Sequence, residues 1–260
     1  MKYLLNAALV LAFVIAARLP LQTARASDDC TAPELICKAA ANQDRSLYLR
    51  DHSRYEQKIR VERFKSKGGE EKPEEVRETV ATIEPAASPD KTGRTPVRVR
   101  VTSDTDKNGN PRHKVDEDAT TLLSFGAVFD LAFFPLLPEK IGFYEFQEVV
   151  ADRKNEKWYR FIPKHGALDQ PLASGIVELD SLTGEVLTIK IEGLHNLETL
   201  DKEARKLKSF FATIDYSQFE GALRMPTLAS GGGVSEITRF GGSFKFKFSE
   251  GKYVVVAKVD

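Results

Sequence analysis

Two cysteines, two methionines, one tryptophan and four histidines are a small stock of chemically versatile side chains for 260 residues. Each scarcity excludes something. Two cysteines cannot staple a disulfide-dense scaffold, and Cys30 and Cys37 do not form the Cys-x-x-Cys of a thiol oxidoreductase. His52, His113, His165 and His195 stand far apart, with no metal-ligand spacing and no His-Glu-x-x-His helix. No Gly-x-Ser-x-Gly elbow occurs. Net charge is missing too, with 38 Lys+Arg against 38 Asp+Glu, whereas a general nucleic-acid binder presents a basic surface. Gly231-Gly232-Gly233 lies between strand candidates and precedes no helix, so it reads as a flexible loop rather than a phosphate cradle. The expectation is a protein that is not an enzyme, has no cofactor or metal, and binds no nucleic acid.

What is present begins with an address. Lys2, the apolar run from Leu4 to Ala17 and the small-x-small triplet Ala24-Arg25-Ala26 have the order of a secretory signal. Cleavage is expected after Ala26, and export to the periplasm with it. The run is too short for a membrane span of about 20 residues, and Arg18 and Pro20 close it. Removing its three cations (Lys2, Arg18 and Arg25) leaves 35 positive and 38 negative groups, a formal charge of −3. Residues 27–260 are then expected to form a single domain. At 42% apolar composition the chain is too hydrophobic to be disordered.

In an oxidising compartment Cys30 and Cys37 are candidates for a bridge closing eight residues. Thr31-Ala32-Pro33-Glu34 also resembles a capping box, and a helix running through both cysteines would hold their Cα atoms about 10 Å apart. Either the helix starts later and the bridge forms, or the helix keeps the thiols apart. Leu35, Ile36, Ala39, Ala40 and Leu47 recur at helical spacing and predict an amphipathic helix over 32–47.

From Arg54 the period changes to two. Tyr55, Ile59 and Val61 alternate with charges, a weaker strand follows over Val76 to Ile83, and Val97, Val99 and Val101 repeat the pattern. From Tyr144 the chain reads as a meander, with strands at Glu156 to Pro163 and Ala173 to Leu179. Next, Leu187, Ile189 and Ile191 are expected on one face, followed by the Phe210 to Tyr216 and Phe244 to Phe248 strands and one from Tyr253 to Ala257. Asp180 to Gly184 and Glu250-Gly251 are hairpin-turn candidates. Short connections between alternating strands mean antiparallel pairing. The fold class is therefore α+β, with nine to eleven strands and two helical segments.

One of those helical segments is unlike the rest. Leu122 to Leu137 is almost wholly apolar, and Phe125, Phe129 and Phe133 at i, i+4 and i+8 share one helix face, which Pro135 should terminate near Phe134. It fits a core helix or a lid over a cavity. Asp104, Asp106 and Asn108 with Gly109 match the first half of a calcium loop, but Val115 stands where the bidentate glutamate belongs. Asn108-Gly109 is also a favoured type I′ hairpin pair, and a plain turn is the stronger expectation.

The run Gly175-Ile176-Val177-Glu178-Leu179-Asp180-x-x-Thr183-Gly184, the stretch from Tyr216-Ser217-Gln218-Phe219 to Met225-Pro226, and the closing Phe244 to Val259 region resemble periplasmic outer-membrane lipoprotein-sorting (lipoprotein-carrier) proteins, mainly over 140–260. The resemblance implies an open, curved antiparallel half-barrel of about eleven strands, covered by helices, whose hollow holds lipid or lipoprotein acyl chains. Residues expected to line such a hollow are Phe125, Phe129, Phe133, Leu187, Ile189, Ile191, Phe244 and Phe246. The same side chains would form a sealed core in a non-enzymatic envelope interaction or sensory module with no lipid ligand.

Overall fold

Period-two alternation of apolar and polar side chains produces the strands, and their short connections produce the pairing. The computed structural model describes residues 30–64, 72–85, 97–112, 128–167, 169–200, 204–219, 223–236 and 242–256. The expected signal sequence and its cleavage site, Phe125, and the start of the phenylalanine-bearing helix lie outside the described residues. In chain order the elements are α1 (Glu34–Asp51), β1 (Ser53–Phe64), β2 (Glu75–Pro85), β3 (Val97–Thr105), a helical segment α2 (128–133), α3 (Pro138–Ile141), β4 (Tyr144–Val149), β5 (Glu156–Pro163), β6 (Leu172–Asp180), β7 (Val186–His195), β8 (Leu207–Gln218), β9 (Arg224–Ser235) and β10 (Gly242–Val255).

All ten strands form one open antiparallel sheet, ordered β3-β2-β1-β10-β9-β8-β7-β6-β5-β4. It is curved like half a barrel, and its core lies on the concave face. The first strand pairs with the last, so β3 and β4, consecutive in the chain, sit at opposite edges. The connection between them must travel the width of the sheet, and α2 and α3 lie on that connection. Its apolar composition is explained by its burial: Phe133, Phe134 and Leu136 are fully buried.

Helix α1 starts at Glu34 with Pro33 as its N-cap, later than the expected helix over 32–47, and Thr31 supplies no capping bond. Because Cys30 precedes the helix, its Cα lies 6.1 Å from that of Cys37, and the disulfide forms.

Four local expectations are corrected. Gly231-Gly232-Gly233 is strand, not loop: it is paired with Phe210 to Ala212 on β8 and Phe244 to Phe246 on β10. A Cβ on Gly231 would lie 2.8 Å from the Ala212 Cα and 2.9 Å from a Phe246 ring carbon, so only glycine leaves room there. Glu250-Gly251 is not a hairpin turn either, because β10 runs through it to Val255. A bulge sets Lys252 and Tyr253 opposite Tyr55 alone, with Lys252 at φ 59°. At Asp106 to Asn110 only Gly109 has positive φ, so the turn is not type I′. Its Gly109 N–H bonds the Asp106 carbonyl at 3.1 Å, as in a type I turn followed by a left-handed glycine. Finally, Leu187 is the extra residue of a β7 bulge opposite Leu179, and the bulge moves Val186 into the buried position expected for Leu187.

Candidate functional site

Pairing register decides which side chains meet on the concave face. One row runs Ile59, Phe248, Ala229, Ile214, Ile189, Val177, Tyr159 across seven strands, from β1 to β5, and every member is buried. The adjacent row runs Val61, Phe246, Gly231, Ala212, Ile191, Gly175, Phe161. On β10 the rings of Phe246 and Phe248 lie beside small residues of β9, Gly231 and Ala229, and side chains from α2 pack against the rings. The Phe129 ring centroid lies 5.4 Å from both Phe246 and Phe248, and 6.5 Å from Phe210. Phe133 meets Phe248 at 4.8 Å and Phe129 at 5.5 Å. Phe210 stacks on Phe246 at 5.6 Å.

Of the residues expected to line a hollow, Phe129, Phe133, Ile189, Ile191, Phe244 and Phe246 are brought into one buried cluster. Leu187 is half-buried and lies outside that cluster, for the reason given by its bulge. Phe210 and Phe248 belong to the cluster, although the sequence reading had placed them only in strands. The signal for Phe248 is its phase, shared with Phe244 and Phe246 on the same strand; β8 contributes no residue to the expected lining, so Phe210 has no such signal.

A second feature of this site had no sequence forecast. The buried stripe of α1 begins apolar, with Ile36, Ala39 and Ala40, then continues at the same helical spacing through Gln43, Ser46 and Arg50. These polar side chains hold the covering segment. Gln43 donates to the Phe133 carbonyl at 3.2 Å and accepts the Leu136 N–H at 3.0 Å. The Tyr216 hydroxyl also donates to the Phe133 carbonyl. Ser46 bonds the Arg224 carbonyl on β9 at 2.8 Å.

Arg50 joins three elements. Its Nε and one terminal nitrogen donate to the Glu250 carboxylate at 2.9 and 2.6 Å, and its other terminal nitrogen reaches Asp130 of α2 at 3.0 Å. Glu250 also accepts from Gln57 at 3.0 Å and Tyr253 at 2.6 Å. Burial works against the Arg50 charge, but Glu250, Tyr55 and Asp130 together outweigh it and the guanidinium pKa is raised. Burial also raises the Tyr55 and Tyr253 hydroxyls, so both stay neutral around Arg50 and Glu250. A buried charge pair with every carboxylate oxygen bonded is expensive to break from one side only.

Among solved structures the chain has a remote resemblance to a LolA superfamily protein. That protein, from Nitrosomonas europaea, matches over 84% of this chain and 94% of its own, at 6% identity and a TM-score of 0.33. MucB in complex with MucA(peri) matches over 82% and 94%, at 12% identity and a TM-score of 0.25. The Pseudomonas aeruginosa MucA/MucB complex matches over the same shares at 12% identity and a TM-score of 0.23. No protein-family model matches the chain, and no curated protein matches it significantly.

Among the described residues, no group of three or more His, Cys, Asp or Glu could hold a metal ion. The candidate calcium residues are otherwise engaged. Asp104 takes both nitrogens of an Arg77 fork at 2.8 Å, and Asp106 accepts the N–H groups of Asn108 and Asn110 at 2.8 and 3.0 Å. Among the described residues no helix is long and apolar enough to cross a membrane.

Proposed function

We propose that the protein is a non-catalytic, periplasmic carrier or chaperone for a hydrophobic ligand, and that α2 occupies in the free protein the space an acyl chain takes in the loaded one. The observation that carries this reading is the aromatic contact between Phe129 and Phe133 of α2 and Phe210, Phe246 and Phe248 of the concave face. These rings lie on a crossing connection, not on a strand, so they can leave without unpairing the sheet.

The exchange is energetically reasonable. Each buried methylene contributes about 0.8 kcal/mol, so a twelve-carbon chain gains about 10 kcal/mol on leaving water. Exposing Phe129 and Phe133 costs roughly 1.5–3 kcal/mol each, and the balance holds while the Leu131, Phe134 and Leu136 side chains of the same connection stay buried. The surplus remains to offset the Arg50–Asp130 ion pair, the Gln43 bonds and the entropy of association.

One observation favours a second reading. Phe133, Phe134 and Leu136 are fully buried and the Arg50–Glu250 pair is closed, as suits an interaction module with a sealed core and no lipid ligand. Native mass spectrometry with dodecanoate, paired with amide hydrogen exchange, separates the two. A carrier forms a 1:1 complex and loses protection at the Leu136 amide, which Gln43 shields in the free protein. Absence of any complex, with exchange at Leu136 unchanged, refutes the carrier.

A further inference from the structure

At one end of β1, β2 and β3 the concave face carries charges, Arg63, Glu75 and Arg77, while Tyr55, Ala81, Ile83 and Val101 form a second apolar cluster towards the other end. Register sets Arg63 between Phe244 and Glu75, in the row that also holds Phe210 through Gly233. In the next row Arg77 is paired with Val61, beside Phe246. Arg77 spends its fork on Asp104, which also accepts from Thr79 at 3.3 Å. Arg112 is paired with Glu75. Among the described residues Arg63 keeps only long contacts, 3.5 Å to Glu74 and 3.4 Å to Glu75, and its Nε is buried without a hydrogen-bond partner. Buried donors are nearly always satisfied, and a guanidinium can only donate.

Resting on the carrier reading, we infer that the ligand is an amphiphile with a singly charged anionic head, whose oxygen is bound by Arg63 while its chain enters beside Phe244 and Phe246. Three observations converge. The unused donor lies one strand from the aromatic lining. The Arg63 side chain is 25% exposed, so the head stays at the rim while the tail goes inward. Among the described residues three arginines (63, 77 and 112) face three acids (Glu74, Glu75 and Asp104), so these six balance to zero and a single added negative charge is tolerated better than two.

The test compares dodecanoate with the uncharged dodecanamide by isothermal titration at neutral pH, using the oxidised protein. The native protein should bind dodecanoate about tenfold more tightly, the scale of one charge-assisted hydrogen bond. Arg63→Gln should bind both alike at the affinity the native protein has for the amide. Arg60→Gln, whose side chain pairs with Glu62 and lies on the opposite face of β1, should keep the preference. Thermal melts of both variants check that the fold persists. Equal binding of the two amphiphiles by the native protein, or a preference that survives in Arg63→Gln, overturns the head-group assignment and leaves the carrier reading standing. Failure of both amphiphiles to bind overturns the carrier reading and this one together.

Discussion

Replacing Glu250 by glutamine probes the polar joint under the covering segment. The Glu250 side chain is fully buried and that of Arg50 is 8% exposed, whereas Asp130, the other acid on Arg50, is 30% exposed. Glutamine keeps the shape but removes the charge and one acceptor oxygen, so Arg50 is left with its partly solvated partner alone. Removing one side of a buried pair typically costs 3–5 kcal/mol, and the remaining Asp130 pulls the expectation to about 3 kcal/mol. Asp130→Asn should cost no more than about 1 kcal/mol, because its carboxylate is already wet. Replacing both partners by apolar residues, Arg50→Met with Glu250→Leu, should destabilise less than either single change, since no unpaired charge remains. Urea unfolding followed by the fluorescence of Trp158, the sole tryptophan, reads these variants and the two single apolar changes. A Glu250→Gln loss below about 1 kcal/mol, or a double variant whose loss equals the sum of the singles, would refute the view of Arg50–Glu250 as a closed buried unit.

Gly231→Ala should destabilise by more than about 2 kcal/mol, because its methyl would collide with strand β8 and the Phe246 ring, while Gly251→Ala, facing open space, should change little; thermal melts compare them. His195 gives a pH signature. Burial lowers its folded pKa below the usual 6.5, so as pH falls the unfolded chain takes up the proton first, and stability declines from about pH 6.5 until the folded pKa is passed. His195→Gln should remove that slope from a series of urea midpoints between pH 5 and 7.5, and an unchanged slope would refute the assignment.

Much of the sheet was legible because alternation is written locally. The β5 strand has the bounds its pattern predicts, and the Asp180 to Gly184 turn forms with the Asp180 carboxylate accepting the Leu182 and Thr183 N–H groups. Helix α2 ends one residue before the expected Phe134, just ahead of Pro135. Errors fell where a residue's local habit was overruled by what lies across the sheet. Three glycines are weak strand formers, yet here Gly231 and Gly232 make room for rings of neighbouring strands and Gly233 for the β8 backbone. Glu250 looked like a turn residue because nothing nearby in sequence announces Arg50, 200 residues away. The polar half of the α1 stripe is not marked by apolar periodicity, although Gln43, Ser46 and Arg50 continue the same spacing.

The topology also constrains how the cover should be interpreted. With β3 and β4 at opposite edges, some segment has to cross the open sheet whatever the protein does. A cover is therefore no sign of a ligand; its manner of attachment is the informative part. A purely structural crossing would be held best by side chains that interlock with the sheet and by few buried charges, since charges cost desolvation that apolar packing avoids. Here Arg50 is bonded to the sheet through Glu250 whether or not α2 is docked, while the bond to α2 is the more exposed one, through Asp130. Release of α2 would thus leave the guanidinium still paired and still neutralised, and the costly half of the network would stay intact. That division puts the stronger ion pair within the frame and the weaker one between frame and cover, so the hold on the cover rests mainly on the buried bonds of Gln43 and Tyr216 to Phe133 and Leu136 and on the packing of its rings.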